Sequence, residues 1–181
     1  MLQFRLTEKV RDLFNFEDEH FSEPVSGDAF LGNWYLDIVE LSGRASLLFM
    51  AEKTALSFVL LDVRSDHADT MANGFINGLD HLLREEQFAE RSIRRIFEGI
   101  DIMEIAVPTN EHALSRLRHR ADMYQQRVVA ANGLDNCNIL DVMKAINREA
   151  DADDEQHSEE GSLSPIKATK SLLRNSDSHL H

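Results

Sequence analysis

Apolar and polar residues alternate along Leu2-Gln3-Phe4-Arg5-Leu6, so the chain opens as a half-buried strand. Thr7 stands where a helix N-cap is needed, and Val10, Leu13 and Phe14 form the apolar face of a short helix ending near Phe14. Residues 15–32 are acidic, contain Pro24, Gly27 and Gly32, and read as a loop. From Trp34 to Leu41 the period is again two: Trp34, Leu36 and Ile38 fall on one face, and Tyr35, Asp37 and Val39 on the other. Ser42-Gly43-Arg44 turns the chain into a strand over Ala45–Met50, whose run Leu47-Leu48-Phe49-Met50 is apolar on both faces. Glu52-Lys53 turns it again into a strand over Leu56–Val63. Connections this short force an antiparallel meander.

The period then becomes helical. Met71, Phe75, Leu79, Leu82 and Leu83 predict a helix to about Glu86, capped by Ser65 or Asp66. Gly74 and Gly78 lie inside it one turn apart, and a close approach to the sheet explains the pair. A second helix covers Ala89–Glu98. Asp101–Val107 alternates as a fifth strand, stopped by Pro108. Thr109-Asn110 caps a long helix to about Ala131, with Leu114, Leu117, Ala121, Tyr124 and Val128 on one stripe. Ile139–Arg148 forms a shorter helix. From residue 150 apolar residues thin out, and residues 151–160 hold six acids with no Lys or Arg. Such a segment buries too little to offset the entropy of ordering. The expected architecture is α+β: one domain over residues 1–149, with a mainly antiparallel sheet of about five strands in the order β-α-β-β-β-α-α-β-α. Helices pack chiefly on one face, and a disordered acidic tail spans 150–181.

The order of elements and three local patterns resemble a family of small bacterial and phage-associated proteins grouped as a domain of unknown function. The patterns are the aromatic pair Trp34-Tyr35, the run Leu48-Phe49-Met50-Ala51-Glu52-Lys53-Thr54, and Thr109-Asn110 before the last long helix. Ala51 stands where the family pattern carries Asn. The resemblance covers about residues 1–130; it implies the fold order and a prokaryotic or phage origin, and no activity.

Composition narrows the function further. The formal net charge is −13 over 181 residues. Residues 1–149 carry 25 acids against 16 bases, so the acidity belongs to the body as well as the tail. Such a surface repels phosphate backbones unless a basic patch is segregated from it, and direct nucleic-acid binding is not expected. Cys137 is the single cysteine, which excludes an intramolecular disulfide and a Cys-rich zinc module. The opening MLQFRLTEKVRDLF lacks the apolar core of a secretory leader, and no apolar run approaches the ~20 residues of a membrane span. The expectation is a cytoplasmic protein.

Candidate chemistry is sparse. Asp37, Glu40, Glu52 and Asp62, with Lys53 and Arg64 nearby, are the residue types of a magnesium site on adjacent strands. However, Glu52 and Lys53 are adjacent and point to opposite faces of a strand. Arg116, Arg118, His119, Arg120 and Arg127 form a basic stripe that suits phosphate, or acidic neighbours within the fold. His112 and His119 are seven residues apart and lack the spacing of a helical zinc site. Trp34 and Tyr35 are of the types that anchor interfaces or fill cores. Leu172 and Leu173 sit in a more basic stretch of the tail that can fold on a partner. The expected function is therefore a non-enzymatic binding or regulatory protein acting through protein–protein contact. An accessory or inhibitor from a phage, plasmid or defence locus is one form of it. Trp34, Tyr35, Arg116, Arg120, Arg127, Leu172 and Leu173 are its candidate interaction residues, with no catalytic residue, metal or cofactor expected. The alternative is a metal-dependent nuclease or other phosphodiester hydrolase.

Overall fold

The computed structural model describes residues 1–64, 68–150 and 163–178. Five strands form one sheet: β1 (Leu2–Leu6), β2 (Trp34–Leu41), β3 (Arg44–Ala51), β4 (Ser57–Leu60) and β5 (Met103–Ala106), in the order β4-β3-β2-β1-β5. The helices are α1 (Glu8–Phe14), α2 (Ala68–Glu85), α3 (Glu90–Phe97), α4 (Glu111–Ala130), α5 (Ile139–Arg148) and α6 (Pro165–Ser178). Short 3₁₀ turns lie at Asp18–His20 and Leu134–Asn136.

The β2-β3-β4 meander is antiparallel as its short turns require, with Ser42 (φ 52) and Gly43 (φ 75) in the left-handed conformations of a tight hairpin. The sheet as a whole is mixed, which corrects the expectation of a mainly antiparallel one. β1 pairs in parallel with both β2 and β5, leaving β3 as the one strand against the common direction. The physical reason is connection length: long segments between β1 and β2, and between β4 and β5, carry the chain back to its starting end before the next strand begins. β4 is shorter than its apolar run because Ala55 (φ 54) and Asp62 (φ 55) flank it in the left-handed region.

Helices cover both faces of the sheet, correcting the one-sided packing read from the sequence. Phe4, Trp34, Leu36, Leu47, Phe49 and Phe58 meet α1, α2 and α3 on the first face. Tyr35, Val39, Leu48, Met50 and Val59 meet α4 and α5 on the second. Strands apolar on both sides must be covered twice. At the centre of the first layer, Trp34 stands edge-on to Phe75 at 4.9 Å, and Phe49 stacks on Phe58 at 4.8 Å. Helix α2 approaches β4 so closely that a Cβ on Gly74 would lie 2.4 Å from Leu60 Cδ1, and one on Gly78 2.6 Å from Phe58 Cε2. The glycine pair is a packing feature, as its spacing implies.

The flexible tail expected over 150–181 is also corrected in part. Residues 163–178 carry α6, which buries Ile166 and Thr169 and rests Leu172 and Leu173 on the first core. Averaged composition hid this short amphipathic stretch. The acidic run 151–160, the capping position at Ser65 or Asp66, and residues 179–181 lie outside the described residues.

The loop after α1 wraps one side of the sheet. It passes the outer edge of β5, where Ser22 N–H donates to Ile105 O at 2.8 Å. It then crosses the second face above β1, held by the side chains of Gln3 and Arg5. The exposed strand edge is thereby covered.

Candidate functional site

β1 and β5 are parallel neighbours, yet the chain leaves them toward opposite faces: β1 feeds α1 on the first, β5 feeds α4 on the second. This divergence opens a crevice at the carboxyl ends of the two strands, the place where sheets of this kind leave room for ligands. The cleft there measures about 610 Å³. Leu6, Phe21, Val107, Pro108 and Leu114 supply its apolar walls, and Thr7, Glu8, Lys9, Asp37 and Arg118 its polar ones. Thr7 occupies the N-cap position of α1 without capping it; its hydroxyl donates instead to Asp37 Oδ1 at 2.7 Å. The same oxygen accepts the Ile38 N–H at 2.9 Å. Asp37 is buried, and its Oδ2 accepts no hydrogen bond from a described residue. Arg11 is held by Asp18 at 2.7 Å and lies over the Phe21 ring. Lys9 and Arg118 are exposed and form no ion pair with a described residue.

A second polar group lies under the first half of α4. The Tyr35 hydroxyl lies beside the Glu52 carboxylate and the Asn110 backbone, and its pKa stands above the ordinary value, by burial first and the Glu52 charge next. Glu52 Oε2 accepts from Asn33 N–H at 3.3 Å, and Arg116 Nη1 donates to Glu52 O at 3.4 Å. Arg5, beneath the loop, donates to Val107 O at 3.0 Å and Val25 O at 2.7 Å. Asn110 caps α4 by accepting the Ala113 N–H at 3.1 Å. Tyr35, Glu52 and Asn110 are three of the positions that carry the family resemblance. Their convergence explains the pattern physically: it docks α4 on the sheet.

The candidate interaction residues do not share a surface. Trp34 is in the first core at 1% exposure, and Tyr35 in the second. Arg120 is fully buried and donates to Ile146 O at 3.0 Å. Arg127 is paired with Glu149 at the far end of α4, while Arg116 belongs to the Glu52 group. Leu172 and Leu173 pack against the first core. Of the basic stripe, Arg118 and His119 face solvent. The sequence pattern marks Asp37 only as a metal ligand and does not show the cleft, because nothing local joins residues 6–9 to 107–118.

The carboxylates of the nuclease reading are separated by the pleat. Asp37 lines the second face, whereas Glu40, three residues on, points to the first. Asp62 is bound by Arg44, whose guanidinium holds that carboxyl below its ordinary range. Among the described residues no three His, Cys, Asp or Glu side chains come together as a metal site. No described helix is long and apolar enough to cross a membrane.

Fold and cleft define an α+β protein with a five-stranded mixed sheet covered on both faces and a ligand-sized crevice at its switch point. The chain belongs to the family described as a domain of unknown function, DUF6933, which matches residues 3–168. The match takes in α5 and the first turn of α6, well beyond the 130 residues over which the sequence resemblance runs. No curated protein matches the chain significantly.

Proposed function

We propose that this is a non-enzymatic binding or regulatory protein of the cytoplasm that acts through contact with a basic protein partner. One observation carries the reading: six arginines are tied up by carboxylates of the fold, in a chain whose acids far outnumber its bases. Arg11, Arg44, Arg84, Arg95, Arg127 and Arg148 each pair with carboxylates of their own chain. Arg84 holds two carboxylates at once, Asp80 and Glu90, and with 32 acids against 19 bases the net charge stays at −13. An acidic surface of this kind steers a basic partner and speeds encounter. The polar side chains of Gln3, Arg5 and Glu52 are spent on backbone groups of the loops beside them, which suits scaffold better than reaction chemistry. In its narrower form the protein is an accessory or inhibitor encoded by a phage, plasmid or defence locus, and the partner handles nucleic acid.

Affinity capture from the native host at low and high salt tests the reading. A basic protein retained at low salt and released as salt rises is the expected result. Recovery of no partner at low salt, or of one whose binding ignores salt, refutes it.

A further inference from the structure

Contact through an acidic surface makes no use of the cleft at the carboxyl ends of β1 and β5. Its volume of about 610 Å³ falls within the ~300–1,000 Å³ of small-molecule pockets. Its position at a switch point is favourable but does not by itself make a site. Asp37 supplies the independent observation. The residue is 7% exposed and lines the cleft. Oδ1 already accepts from Thr7 and Ile38, while Oδ2 accepts from no described residue. Oδ2 is not shut away from solvent, so it stays open to a donor arriving from the cleft, and a hydrogen bond to a charged carboxylate is stronger than one to a neutral acceptor. Lys9 and Arg118 at the rim carry positive charge with no ion pair among the described residues, and Glu8 beside them offsets part of it. Val107, Pro108 and Leu114 form an apolar wall.

We infer that this cleft binds a small amphoteric molecule: an ammonium or N–H head donates to Asp37, an apolar or aromatic body lies against Pro108 and Leu114, and a phosphate or carboxylate meets Lys9 and Arg118. Two sources share this chemistry, an amino-bearing nucleotide and a short peptide with free termini. The inference does not depend on the protein-contact reading, and loss of either leaves the other standing.

Calorimetric titration of the full chain separates the sources. Adenosine and cytidine monophosphates form one arm, glycyl-phenylalanine the other, and inorganic phosphate serves as the anion-only control. One arm is expected to saturate the protein, with phosphate alone much weaker. Asp37→Asn is expected to weaken that binding about tenfold or more, since a hydrogen bond to a charged group is lost. The double variant Lys9→Ala/Arg118→Ala changes only exposed side chains. It is expected to weaken binding and to flatten its salt dependence, which keeps the test decisive even if Asp37→Asn folds poorly. Absence of saturable binding in both arms overturns the inference. So does binding that both variants leave unchanged, because the ligand then sits elsewhere.

Discussion

Asn147 offers its side-chain amide to Ser57 as a neighbouring strand would. Its Oδ1 accepts the Ser57 N–H at 2.8 Å, and its Nδ2 donates to Ser57 O at 2.7 Å, with both residues fully buried. Asn147→Ala strands the buried Ser57 N–H and leaves Ser57 O with the Tyr124 hydroxyl at 3.2 Å as its remaining side-chain donor, and is expected to cost about 1–3 kcal/mol, read from urea unfolding. The two tyrosines give a pH signature. Tyr124 is driven above its ordinary pKa by complete burial, and Tyr35 by burial together with the Glu52 charge. The unfolded chain therefore releases these protons at about 10, while the folded one still holds them. In that window the unfolded state binds fewer protons, so stability falls as pH rises above about 10. The urea midpoint is expected to drop between about pH 9 and 11, and Tyr35→Phe/Tyr124→Phe to flatten the slope. At this scale the sequence marked the important residues without assigning their roles. Trp34 was legible as an aromatic entry to the sheet, but only its contacts with Phe58 and Phe75 place it in the core.

The two glycines of α2 face different neighbours, and this separates their expected effects. Replacement by Ala gains about 1 kcal/mol of helix propensity at either position. At Gly78 the new methyl meets the Phe58 ring, which is buried and stacked on Phe49 and cannot yield. Gly78→Ala is therefore expected to destabilise by about 1–3 kcal/mol. At Gly74 the close atom is the end of the partly exposed Leu60 side chain, which can rotate away, and the change is expected to be near neutral. Thermal unfolding of the two variants side by side checks the contrast. Helix α6 yields a second expectation. Ending the chain before residue 163 uncovers the apolar surface around Ile166, Leu172 and Leu173, and lowers the denaturation midpoint. An unchanged midpoint shows that α6 contributes nothing to the core. The order of strands and helices through Arg148 was legible, because period two and period 3.6 survive in the local pattern, although β4 and β5 are each four residues long and shorter than their patterns. Helix α6 was not, since its few apolar residues come after a long acidic run.

Across the whole molecule, acidity is the property with the longest reach. It predicts that association with a basic partner slows steeply with ionic strength, measurable by stopped flow once the partner is in hand. Glu40 and Asp37 lie on opposite faces and Asp62 is bound by Arg44, so magnesium is expected to leave the urea midpoint unchanged. A magnesium-dependent stabilisation lost in Asp62→Ala revives the hydrolase alternative. The chain's own pattern of apolar positions determined which segments are strands and helices, that β2, β3 and β4 form a meander, and that the protein is acidic throughout. These properties depend on neighbours in sequence or on totals. Only the tertiary structure decided that β1 pairs in parallel on both sides, that helices cover both faces, that Tyr35, Glu52 and Asn110 meet, and that a cleft opens over Asp37. Each of these joins residues tens of positions apart, and such pairings are set by how layers bury their apolar faces rather than by any local signal.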